Sequence, residues 1–125
     1  MKVGEIMHPI KSIDPNASVR QAAVMMSEEG IASLLVSKDK DVKGIITERE
    51  ILKNIKKLGS KVGQVMTKKV ITIEEDKHID KAVELMKEHK IKRLPVTREG
   101  QIVGIVTATD ILANAENINE DFLFD

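Results

Sequence analysis

Along the chain, apolar residues fall into two alternating kinds of run. Val19, Ala22, Ala23 and Met26 recur at i, i+3, i+4 and i+7, and Ile79, Ala82, Val83 and Met86 repeat that spacing. This is the stripe of a helix with one buried face. Ser18 followed by Gln21 reads as a capping-box start for the first helix, and Gly30 as its stop. After each helix come two short apolar runs, Ile31–Ser37 with Val42–Thr47, and Ile91–Thr97 with Gln101–Thr107. The intervening SKDKD and REG predict hairpin turns. A short extended piece precedes each helix (Lys11–Ile13 and Val70–Ile73), and a second helix begins at Thr47 and at Thr107. The predicted order is β-α-β-β-α, twice.

The two halves match residue by residue. A shift of 60 aligns Ile13 with Ile73, Ala22 with Ala82, Met26 with Met86, Leu34 with Leu94, and Gly44-Ile45 with Gly104-Ile105. At the front the shift is 59, pairing Val3-Gly4 and Met7 with Val62-Gly63 and Met66. Such self-similarity is the mark of a duplication. The expected boundaries are 1–57 for the first repeat, 58–115 for the second and 116–125 for an acidic tail, with the basic stretch Lys53–Lys61 as linker. A repeat of about fifty residues cannot close a core alone. The expected fold is therefore α/β (α+β), with two pseudo-twofold βαββα repeats packed sheet to sheet.

Composition narrows the function. Lys plus Arg equals Asp plus Glu at 20 each, which gives no electrostatic footprint for nucleic acid or for an anionic membrane. Trp and Tyr are absent and both phenylalanines lie in the tail, so no base-stacking platform is expected. Without cysteine there is no disulfide, thiolate metal site or thiol nucleophile. His8, His78 and His89 do not cluster at ligand spacing, and no metal is expected. Met25, Met26 and Met86 read as core. No stretch has the length of a signal peptide core or a membrane span, and a cytoplasmic location follows as the default. The tail, AENINEDFLFD, either packs on the module or serves as a docking peptide.

The duplicated GIITERE and GIVTATD carry the candidate chemistry. Thr47 with Glu50, and Thr107 with Asp110, can be simple capping boxes. The same geometry can instead rest a phosphate beside the threonine and hold ribose hydroxyls on the carboxylate, with glycine allowing a ligand close to the backbone. Both readings stay open on the residues alone.

Three duplicated features resemble the CBS-domain family, in the tandem arrangement called a Bateman module. They are Met7 and Met66, the strand steps Leu34-Leu35-Val36 and Leu94-Pro95-Val96, and the two Gly-h-x-Thr-x-x-Asp/Glu runs. The resemblance runs from Val3 to about Ala115. It implies a regulatory module with no required cofactor, binding adenosine-type ligands such as AMP, ADP, ATP or S-adenosylmethionine; with no cysteine nucleophile, complete Walker loop or Ser-His-Asp constellation in the sequence, no enzyme is expected. It also implies a homodimer and an as yet unidentified regulated protein. Carried over by position, Asp110 would hold the ribose, and Thr107 and Thr109 the phosphate. Arg93 and Lys92 would neutralise phosphate charge, and Met7, Ile10, Ile31 and Ser33 would line the base. Thr47, Glu50, Ile91 and Met66 would form a second, weaker site, because Glu50 replaces the Asp and Ser33 stands where the other repeat has Arg93. The alternative is a ligand-independent dimerisation or protein-interaction module.

Overall fold

The computed structural model describes residues 1–114, so the acidic tail with Phe122 and Phe124 lies outside the described residues. The chain divides into two compact units. One contains Lys11–Val70; the other contains Met1–Ile10 together with the chain from Ile71 onward. The front of each sequence repeat is therefore built into the unit formed by the other repeat.

In the Lys11–Val70 unit, strand β1 (Ser12–Ile13) leads to helix α1 (Val19–Glu29) and to the strands β2 (Ser33–Lys38) and β3 (Asp41–Thr47). Helices α2 (Glu48–Lys53) and α3 (Val62–Val65) follow. β1 pairs parallel with β2, and β2 antiparallel with β3, giving a three-stranded mixed sheet. The expected capping box is present, with Ser18 Oγ accepting from the Gln21 amide and Gln21 Oε1 from the Ser18 amide. Gly30 ends α1 in the left-handed region at φ 65°. β2 starts at Ser33, two residues later than the apolar run suggests. The Ile31 amide is still donating to the Met26 carbonyl at the end of α1, and the Ala32 carbonyl accepts from Glu48.

The other unit repeats the plan. After a 3-10 turn at Val3–Glu5 come β4 (Ile73–Glu74), α4 (Ile79–His89), β5 (Arg93–Arg98), β6 (Gln101–Thr107) and α5 (Ala108–Ala113). The strand order β4-β5-β6 again pairs one parallel and one antiparallel ladder. α4 ends on Lys90 at φ 54°, so the left-handed stop recurs without its glycine.

The cores explain why the fronts change units. Val62 is fully buried among Ile13, Val19, Ala22, Leu34, Val36 and Ile46, with Leu58, Val65 and Met66 packed against them. Val3 is fully buried among Ile73, Ile79, Ala82, Leu94, Val96 and Val106, with Ile6 and Met7 beside them. Burying an aliphatic side chain of this size contributes roughly 1.5–3 kcal/mol. The segment read as a plain linker also does structural work. The Ser60 and Leu58 carbonyls accept from the Val19 and Arg20 amides, which are among the amides a helix start leaves unpaired.

Candidate ligand site

The site in the unit containing Ile71 onward is assembled from the end of β6, the start of α5 and the N-terminal segment. The His8 amide donates to the Ile105 carbonyl at 3.0 Å, and the Ile105 amide to the His8 carbonyl at 2.8 Å. This bridge lays Met7 and His8 over Gly104. A methyl group on Gly104 would sit 2.9 Å from the His8 carbonyl oxygen and 3.0 Å from the Met7 sulfur. The glycine read as room for a ligand is thus filled by the protein's own backbone. Gly44 does the same in the other unit, where an added methyl would lie 2.5 Å from the Thr67 carbonyl oxygen.

α5 starts with a reciprocal cap. Thr107 Oγ1 accepts from the Asp110 amide at 3.1 Å, and Asp110 Oδ2 accepts from the Thr107 amide at 2.8 Å. The same Oδ2 meets His8 Nε2 at 2.8 Å. Among the described residues, Oδ1 makes no bond within the protein, and the Asp110 side chain is 21% exposed.

Glu50 behaves differently. Its carboxylate meets the side chain rather than the backbone amide of its helix start. Oε2 accepts from the Thr47 hydroxyl at 2.5 Å and Oε1 from the Thr67 hydroxyl at 2.8 Å. Both oxygens are engaged and the residue is only 9% exposed. Asp110 is the capping carboxylate; Glu50 is a buried clip between α2 and the segment after α3.

Of the remaining expected site residues, Arg93 pairs across the ladder with Thr107. The Lys92 carbonyl accepts from the Ala108 amide, which brings both residues beside the start of α5. Thr109 is exposed on α5, and Ile10 is half-buried at the end of the N-terminal segment. Ile31 and Ser33 belong to the unit of Glu50, where Ser33 is buried and pairs with Thr47. Ile91 belongs to the unit of Asp110, packed against its core. Met66 lies against Gly44. From sequence His8 was weighed only as a metal ligand and Thr67 was not singled out, although the shift of 59 that pairs Met7 with Met66 also pairs these two. Among the described residues, no three His, Asp or Glu side chains converge as a metal cluster, and no helix is long and apolar enough to cross a membrane.

The CBS domain model matches residues 3–57 and again residues 62–117. The chain belongs to the CBS-domain family, as a tandem pair. An inosine-5'-monophosphate dehydrogenase of Thermoplasma acidophilum is 39% identical over 108 residues, which cover 86% of this CBS pair and 22% of that enzyme. An uncharacterized protein of Methanocaldococcus jannaschii is 34% identical over 114 residues, or 90% of this chain and 38% of that one. The CBS pair thus spans well under half the length of these two relatives. Among solved structures, the CBS domain pair of protein MJ0100, in complex with 5'-methylthioadenosine and S-adenosyl-L-methionine, superposes with a TM-score of 0.86. It is 28% identical, and the match covers 95% of this chain and 98% of that one.

Proposed function

We propose that this CBS pair is a regulatory module that binds an adenosine-type ligand, of the AMP, ADP, ATP or S-adenosylmethionine class, at Asp110. The observation that carries the reading is the difference between the two carboxylates. Asp110 is partly exposed and its Oδ1 makes no bond among the described residues, whereas both oxygens of Glu50 are engaged and buried. A ribose presents two adjacent hydroxyls, each of which gains a charge-assisted bond from such a carboxylate. Thr107, Thr109, Arg93 and Lys92 are assigned to the ligand's phosphate or other polar tail, and Met7 to its apolar side. The bound adenosine compounds of the MJ0100 pair support the ligand class. Regulation would follow from population shift, the ligand stabilising whichever conformation or assembly it binds better. No reaction is assigned to the chain.

A second reading, a ligand-independent dimerisation or protein-interaction module, is favoured by exposed apolar residues on the short helices and just beyond them. Leu52 is 68%, Ile55 56% and Leu112 74% exposed. Calorimetric titration with AMP, ATP, adenosine and S-adenosylmethionine separates the two. Asp110→Asn keeps a cap acceptor but loses the charge, and should weaken binding by about ten- to a hundredfold. Glu50→Gln should leave affinity unchanged. If the parent protein binds none of the four and still sediments as a dimer, the interaction reading stands and the ligand reading falls.

A further inference from the structure

We propose that His8 is an internal, pH-dependent competitor for Asp110, so that adenosine-ligand affinity falls as the imidazole becomes charged; this rests on the ligand reading above. His8 Nε2 lies 2.8 Å from Asp110 Oδ2, on the carboxylate that a ribose must use. The backbone on which the imidazole is mounted is fixed by the paired bonds to Ile105, while the ring itself is 45% exposed. It can therefore leave without unfolding anything.

The other repeat serves as an internal comparison. Thr67 is held by the same bridge, its amide and carbonyl both 2.9 Å from their Ile45 partners, and its side chain also reaches the carboxylate of the facing repeat motif. A threonine hydroxyl does not titrate. An imidazole ordinarily changes charge near pH 6.5, within the physiological range. When neutral it offers Asp110 an ordinary hydrogen bond; when protonated it offers an ion pair, roughly twice as strong.

Among the described residues no other imidazole or amino group bonds Asp110: the amino terminus meets His78 Nε2 at 3.0 Å, and α4, packed against α5, carries Asp80, Lys81, Glu84, Lys87, Glu88 and His89. β6 carries no charged residue. On and before β5 stand Lys92, Arg93 and Arg98, none of them an imidazole. Arg98 is paired with Glu75, and within the N-terminal segment Glu5 accepts from the Lys2 amide. Carboxylates ordinarily titrate below pH 5, outside the window in which the imidazole changes.

The test is adenosine titration of the full chain between pH 5.5 and pH 8, because adenosine has no phosphate to titrate in that range. The parent should bind about tenfold more tightly at pH 8 than at pH 5.5. His8→Thr installs the residue of the other repeat and His8→Gln keeps a neutral hydrogen-bonding side chain. Both should flatten the profile to within about twofold. His78 and His89 remain in both variants, so their titration cannot explain a flattening. A parent that binds equally at both ends, or variants that keep the parent's slope, would overturn the role of His8 while leaving ligand binding intact. Failure of adenosine, AMP and S-adenosylmethionine to bind any of the three proteins at any pH would instead remove the ligand reading, and the competitor with it.

Discussion

Replacing Glu50 by alanine removes a carboxylate that two threonine hydroxyls share, at 2.5 Å from Thr47 and 2.8 Å from Thr67. Hydrogen bonds to a charged group contribute roughly 1.5–3 kcal/mol each, but the two are not additive here. Thr67 is exposed, so water replaces part of what its hydroxyl loses, and Thr47 still accepts from the Arg49 amide at 3.3 Å. The expected cost is about 2–3 kcal/mol. For a chain of this size that is on the order of 8–12 °C in Tm. Glu50→Gln retains one acceptor and should cost about 1 kcal/mol. Urea unfolding followed by circular dichroism measures both. A double-mutant cycle with Thr67→Val tests the geometry directly. If Thr67→Val costs as much in the Glu50→Ala background as in the parent, the two side chains do not interact. A Glu50→Ala loss below about 0.5 kcal/mol would make Glu50 an ordinary surface carboxylate and refute the clip.

Gly104→Ala should destabilise by about 2–3 kcal/mol, although a Gly→Ala change at an ordinary φ tends to stabilise. The added methyl would meet backbone oxygen at 2.9 Å and should displace the Met7–His8 segment, which melts of the variant beside its parent will measure. A pH prediction concerns Glu75, whose carboxyl is held below its ordinary value of 4.5 by hydrogen bonding and charge from the Arg98 guanidinium, against an opposing desolvation. A depressed folded-state pKa gives stability that is present above the unfolded value and lost as pH falls through the folded one. The gap between parent and Glu75→Gln melts should therefore be open at pH 7 and narrow progressively below pH 4.5. The pair is exposed and the gap will be small; one that widens on acidification contradicts the assignment.

The periodicities carried most of the fold because they report burial, and burial is what fixes these elements. Val19, Ala22 and Met26, like Ile79, Ala82 and Met86, are the buried positions of α1 and α4. Strand starts were less legible, since Ile31 and Ile91 are apolar but each still donates to the preceding helix end. What the sequence could not show was the destination of the fronts. Val3 and Val62 align with each other at the same place in each repeat, and self-alignment says nothing about which core each enters. That depends on the main-chain bonds from Val3 to Lys77 and from Val62 to Ala17, made over long and intermediate separations along the chain. The side-chain partners of Glu50 were hidden for the same reason. A capping box is a local pattern, whereas the Thr67 hydroxyl that draws Glu50 away is seventeen residues further along.

The two motifs use different side chains across the same main-chain spacing. In both units the main chain fixes the residue after the methionine at nearly the same bridge, with N···O distances of 2.8 to 3.0 Å. The gap between that residue and the facing helix start is therefore set before any side chain is chosen. In one unit it is spanned by a short carboxylate and a long imidazole, Asp110 and His8; in the other by a long carboxylate and a short hydroxyl, Glu50 and Thr67. The short carboxylate stays within reach of its own Thr107 amide and leaves Oδ1 without a bond among the described residues. The extra methylene of Glu50 carries its carboxylate past the corresponding Thr47 amide, so that both oxygens end on hydroxyls. One spacing thus admits two side-chain solutions: the first leaves a carboxylate oxygen open to a ligand, and the second spends the same group on stability.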